Sequence, residues 1–100
     1  MRKFILACAI LPYAGTASAA EQGLASYYCP SSGGLVAAHR SLAIGSRVRV
    51  VNLDNGLVVI VIIAGRGPFL RGRVIDVSIA AADALGFRKA GLAHVRLELL

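Results

Sequence analysis

The chain has 100 residues, 57% of them hydrophobic, and 11 lysines and arginines against 5 acidic residues, for a formal net charge of +6. That length holds one small domain and excludes a multidomain enzyme. The positive balance suits an anionic partner, while only 6% of the residues are aromatic, which leaves no interleaving of the kind that single-stranded nucleic acid binding needs.

In chain order, Arg2 and Lys3 precede a mostly apolar run from Phe4 to Tyr13, and Thr16-Ala17-Ser18-Ala19-Ala20 supplies small residues around a cleavage point after Ala19. This is the pattern of a secretory signal peptide over residues 1–19, and the apolar run is too short for a membrane anchor. Ile5-Leu6-Ala7-Cys8 looks like a lipidation box, but too few residues precede Cys8 to leave an apolar core, so lipidation is not expected. The expected mature domain is residues 20–100, without a transmembrane anchor, exported to the periplasm or cell envelope. Export also argues against nucleic acid as a partner. Losing Arg2 and Lys3 leaves nine basic residues against five acidic, a net +4. Losing Cys8 leaves Cys29 alone, so no internal disulfide forms, and the thiol is expected to be buried as a small hydrophobe.

Gly23 to Cys29 alternates as a strand, with Ala25, Tyr27 and Cys29 on one side and Ser26 and Tyr28 on the other. Pro30 to Gly34 is a turn cluster, and Leu35 to Leu42 is ambiguous, with one helical turn around His39 as the expectation. Arg47 to Val51 reads as a half-buried strand. Asp54-Asn55-Gly56 is a hairpin turn, and its return strand, Leu57 to Ile63, is apolar on both faces, as a central strand would be. A glycine-rich loop, Gly65 to Gly72, leads to a short strand from Arg73 to Val77. Ser78 is a good N-cap for a helix through Leu85, stopped by Gly86. Val95, Leu97 and Leu99 share one side of a last strand, with His94 on the outer face. Five or more short strands and one small helix imply a compact closed barrel, all-β in class.

Several motifs carry a family likeness: Gly23-Leu24-Ala25-Ser26-Tyr27-Tyr28, Ala37-Ala38-His39-Arg40-Ser41-Leu42, Gly45-Ser46-Arg47-Val48-Arg49-Val50 and Asn52-Leu53-Asp54-Asn55-Gly56. Arg66-Gly67-Pro68-Phe69 and Gly72-Arg73-Val74-Ile75-Asp76-Val77-Ser78 follow in order. Together these resemble the rare lipoprotein A family. The resemblance implies a six-stranded double-psi β-barrel over essentially the whole mature chain. It also implies a bacterial periplasmic or septal protein acting on peptidoglycan glycan strands, with cell-division proteins as a further class of partner. The activity implied is that of a lytic transglycosylase acting on glycan without stem peptides. The chain departs from the family pattern at two places. The segment between Tyr28 and Ala37 is short and has no glutamate, and the position of the family's catalytic aspartate falls on Gly65.

The carboxylate inventory limits the chemistry. Lytic cleavage needs one carboxylic acid to protonate the glycosidic oxygen, after which the sugar's own C6 hydroxyl closes a 1,6-anhydro ring. A hydrolase usually needs two carboxylates at a set separation, and Glu21, Asp54, Asp76, Asp83 and Glu98 offer no dedicated pair. Asp76 is the candidate acid, with hydrogen bonds to loop amides near Ser78 or pairing with an arginine as its structural alternatives. His39 is its candidate helper, or else a satisfied loop histidine. Arg66, Arg71 and Arg73 are candidates to clamp an anionic strand, and Tyr28 and Phe69 to stack on sugar rings. No metal or cofactor is expected: Cys29, His39 and His94 lack a zinc-site spacing, and the glycine-rich loop lacks a phosphate-loop ending. A glycan-binding paralogue without catalysis, and an interaction module at the division site, stand as alternatives.

Overall fold

The computed structural model describes residues 20–30 and 33–100. The expected leader, including Cys8, lies outside them. Six strands and one helix follow one another as β1 (Ala20–Tyr28), β2 (Val36–Ala38), β3 (Arg47–Asn52), β4 (Val58–Gly65), β5 (Arg73–Ser78), α1 (Ile79–Ala84) and β6 (Ala93–Leu99).

The strands close into a barrel in the order β1-β5-β2-β4-β3-β6. β1 with β5 and β2 with β4 run parallel, and the other neighbours run antiparallel. Of the six neighbour pairs only β3 and β4 are consecutive in sequence. This interlaced order of short strands is the double-psi β-barrel. Closure leaves no unpaired edge, which suits a domain without a disulfide.

Inward residues alternate along every long strand: Val48 and Val50 on β3, Val59, Val61 and Ile63 on β4, Ile75 and Val77 on β5, Val95 and Leu97 on β6. Each fully buried aliphatic side chain contributes roughly 1.5–3 kcal/mol. The helix covers one side of the barrel with Ala81, Ala82 and Leu85, which are fully buried. Ser78 caps it by accepting from the Ala81 amide, as its sequence position predicts. Gly86, at φ +74°, follows the helix. Asn52 and Asn55 both donate their side-chain amides to the Leu85 carbonyl, tying the β3–β4 hairpin to the helix end.

Three expectations need correction. Leu35 to Leu42 has no helical turn: Val36–Ala38 is the short strand β2, held between β4 and β5, because tertiary pairing overrides a weak local pattern. The return strand of the hairpin is paired on both sides, yet it is not buried on both faces. Val58, Ile60 and Ile62 point outward and are exposed, since a closed barrel has only one interior. Cys29 is exposed rather than buried, because β1 ends at Tyr28 and the thiol lies beyond the last inward position.

Candidate functional site

The sheet brings the expected acid to an outward-facing row. Asp76 of β5 is in register with Ser26 of β1 on one side and with Ala38 of β2 on the other, and Ala38 is in register with Gly65 of β4. Side chains directly opposite one another in a sheet share a face. Here that face is the outer one, since Ala25, Tyr27, Ala37, Ile75 and Val77 point to or pack against the core. A β-carbon built on Gly65 would lie 3.8 Å from the Ala38 β-carbon, which confirms that these two positions face the same way. The row therefore reads Ser26, Asp76, Ala38, Gly65. Two of its four positions carry almost no side chain, and Ala38 is itself only 7% exposed, so the carboxylate stands beside a low, smooth stretch of the barrel wall.

Within the row, Ser26 Oγ donates to Asp76 Oδ1. Tyr28, two residues along β1 on the same face, is half-buried. Burial first, and the nearby Asp76 charge second, raise its phenol above the ordinary tyrosine value. The phenol is thus within electrostatic reach of the carboxylate. Tyr27, by contrast, turns inward, packs edge-on against Phe87 with ring centroids 6.0 Å apart, and donates to the Arg88 carbonyl at 2.9 Å. Strand alternation alone separates the two tyrosines in this way.

His39 is close by in sequence but belongs to a different set of contacts. It follows Ala38 directly and is only 4% exposed. Its Nδ1 accepts from the amides of Ser41 and Leu42, both at 3.1 Å, and its Nε2 lies 2.9 Å from Glu21 Oε1. Both ring nitrogens are thereby engaged away from Asp76. The helper pairing expected from sequence is replaced by a histidine held in its own turn. Arg66 joins this cluster: its Nη1 donates to the carbonyls of His39 and Leu42, the first at 3.1 Å. The carboxylate that sequence reasoning set aside, Glu21, is the residue that faces His39. Its signal was unreadable because a separation of 18 residues hides a contact that only the barrel order creates.

The other candidates lie on the loop between β4 and β5 or just after it. Phe69 is 76% exposed, with its ring near the β-carbon position of Gly67. Arg71 is exposed and Arg73 half-buried at the start of β5. Among the described residues, none of Arg66, Arg71 and Arg73 makes a salt bridge. Asp76 likewise has no arginine partner there, so a serine hydroxyl takes the place of the expected cation. His94 is on the outer face of β6 as expected, bound to Asp54 through its amide and its ring.

The model of a family described as lytic transglycolase matches residues 14–97. A probable endolytic peptidoglycan transglycosylase RlpA from Nostoc sp. is 47% identical over 94 residues, covering 79% of this chain and 25% of that protein. An endolytic peptidoglycan transglycosylase RlpA from Pseudomonas aeruginosa is 54% identical over 65 residues, 65% of this chain and 19% of that protein. The chain thus spans about a quarter or less of these relatives' length. Among solved structures, an expansin from Clavibacter michiganensis superimposes with a TM-score of 0.68 at 21% identity, over 81% of this chain and 50% of the expansin. A variant of that expansin, solved with cellohexaose, matches equally well at 20% identity; at this identity the likeness shows the fold alone. With a family match over 84 of its residues and a closed six-stranded barrel beneath it, the chain belongs to the lytic transglycolase family of double-psi β-barrels.

Proposed function

We propose that this domain is exported to the bacterial envelope and cleaves peptidoglycan glycan strands to 1,6-anhydro ends, with Asp76 as the acid. The observation that carries this reading is the Ser26–Asp76–Ala38–Gly65 row. It sets a carboxylate on the barrel wall beside two small residues, with no arginine salt bridge to it among the described residues, in a chain of this family. A glycan strand laid along it brings a glycosidic oxygen to Asp76. The acid gives that oxygen its proton, the bond to C1 breaks, and the C6 hydroxyl of the same sugar closes on C1. The carboxylate then takes the hydroxyl proton, so one group serves as acid and as base. Tyr28 and Phe69 offer aromatic faces to sugar rings, and Arg71 and Arg73 offer positive charge to an anionic wall polymer.

A second reading is favoured by two specific observations. Gly65 has no carboxylate, and Asp76 already accepts a hydrogen bond from the Ser26 hydroxyl, which occupies one of its oxygens. In that reading the row binds glycan without cutting it. Mass spectrometry for 1,6-anhydro products after incubation with peptide-stripped glycan separates the two. Products from the native chain that disappear with Asp76→Asn establish the enzyme. Binding without products from a folded native chain leaves the binder, and products gained on Gly65→Asp place the missing chemistry at that position. Gly65 accepts the change sterically, since its β-carbon position has only the ordinary 3.8 Å contact with Ala38.

A further inference from the structure

We propose that Glu21 is a positioning residue of this site: through His39 it fixes the turn that anchors the Gly65–Phe69 loop. Nδ1 of His39 accepts two backbone N–H groups, from Ser41 and Leu42, and so must carry its lone pair. The ring hydrogen of the neutral imidazole is then on Nε2, which donates to Glu21 Oε1 at 2.9 Å. At 4% exposure, His39 has little water to fall back on if that acceptor is lost. The other carboxylate oxygen of Glu21 lies 3.5 Å from Arg40 Nη2, so neighbouring residues of one turn hold both oxygens.

That turn is also the mount of the loop. The His39 amide donates to the Gly65 carbonyl at 3.0 Å. Arg66, the next residue, returns two hydrogen bonds to the carbonyls of His39 and Leu42 at either end of the turn. A rigid His39 ring therefore keeps the turn shaped to receive Arg66, and Arg66 keeps the start of the loop that presents Phe69. Glu21, at the start of β1, is the far end of this chain of contacts. The role is positioning, since the buried imidazole stands between the carboxylate and the turn.

This inference rests on the glycan-site reading for its functional consequence, but its structural half is tested separately. In 15N-labelled protein, long-range imidazole correlations report the His39 tautomer, and co-sedimentation with peptide-stripped glycan reports binding. Glu21→Gln keeps an oxygen acceptor, so a native-like Nε2 shift and binding within about twofold of native are expected, whereas Glu21→Ala keeps the Nε2–H tautomer that the Ser41 and Leu42 amides dictate but shifts Nε2 as its acceptor is lost, shifts the amides of residues 65–69 and weakens binding by about tenfold. Should Glu21→Ala not fold, Glu21→Asp, one methylene too short to reach Nε2, takes its place. An unchanged His39 Nε2 shift and unchanged loop amides in Glu21→Ala overturn the proposal. So does a loss of binding in Glu21→Gln equal to that in Glu21→Ala, because the charge itself would then contact the glycan. A native chain that binds no glycan, but whose Nε2 shift and loop amides respond to Glu21→Ala as expected, removes the functional reading and upholds the positioning of the loop.

Discussion

The outer row around Asp76 and the turn around His39 adjoin through Ala38, yet they are built on opposite terms. The row is open: its acid has one recorded side-chain donor, Ser26, and its floor is Ala38 and Gly65. The turn is closed: His39 engages its amide, its carbonyl and both ring nitrogens, and Arg66 is committed to two carbonyls. Two residues of the same motif set thus divide the work. One is bonded to a single serine hydroxyl, and the other is spent on holding backbone. A motif histidine and a motif aspartate of one family are not thereby chemical partners.

That contrast is broken first at the turn. His39→Ala leaves the Ser41 and Leu42 amides and the Glu21 carboxylate without their acceptor and donor. It should cost about 2–3 kcal/mol in urea unfolding, against less than about 0.5 kcal/mol for Asp76→Asn in the open row. Equal losses would erase the distinction between the two regions. Arg66→Ala should fall between them, at about 1 kcal/mol, since it removes two hydrogen bonds to carbonyls from a partly exposed position.

The row is sharpened by a spectroscopic titration of Tyr28. Burial is the larger cause of its raised ionisation and the Asp76 charge the smaller. Asp76→Asn should therefore bring the phenol back only part of the way toward the ordinary value, as read by ultraviolet absorbance. No change would place the carboxylate out of reach of the phenol.

The smallest effects are expected far from both regions. The backbone hydrogen bond from His94, chiefly, lowers the Asp54 carboxyl below its ordinary value, and hydrogen bonds from Arg49 and then Arg96 lower that of Glu98. Folded values below the unfolded ones mean stability that is present above the unfolded carboxyl pKa and lost as pH falls through the folded one. Melting temperatures should thus decline as pH drops below the ordinary carboxylate range. Glu98→Gln and Asp54→Asn should flatten that decline slightly, both groups being solvent-exposed.

Much of the barrel was legible because strand alternation and turn residues are local signals. Val48 and Val50, the Asp54-Asn55-Gly56 turn, the Ser78 cap and the inward Val95 and Leu97 could all be read within a few neighbours. β2 escaped because three residues give no period, and its strand conformation comes from pairing to β4 and β5. The exposed face of β4 escaped because Val58, Ile60 and Ile62 are as apolar as the core residues between them. In the site, Asp76 was legible from its place before the helix cap, and Gly65 from the motif it interrupts. Glu21 was not, since a carboxylate at the start of a strand acquires meaning only when the barrel order brings β1 past the turn after β2.

The central claim is that glycan lies on the outer row and not against the His39 turn. A titration of 15N-labelled protein with peptide-stripped glycan strands, followed by amide chemical shifts, tests it most directly. The account predicts the largest shifts at Ser26, Tyr28, Ala38, Gly65 and Asp76, with smaller ones at Phe69. Shifts centred on Glu21, Arg40 and Ser41 with a silent row would contradict it.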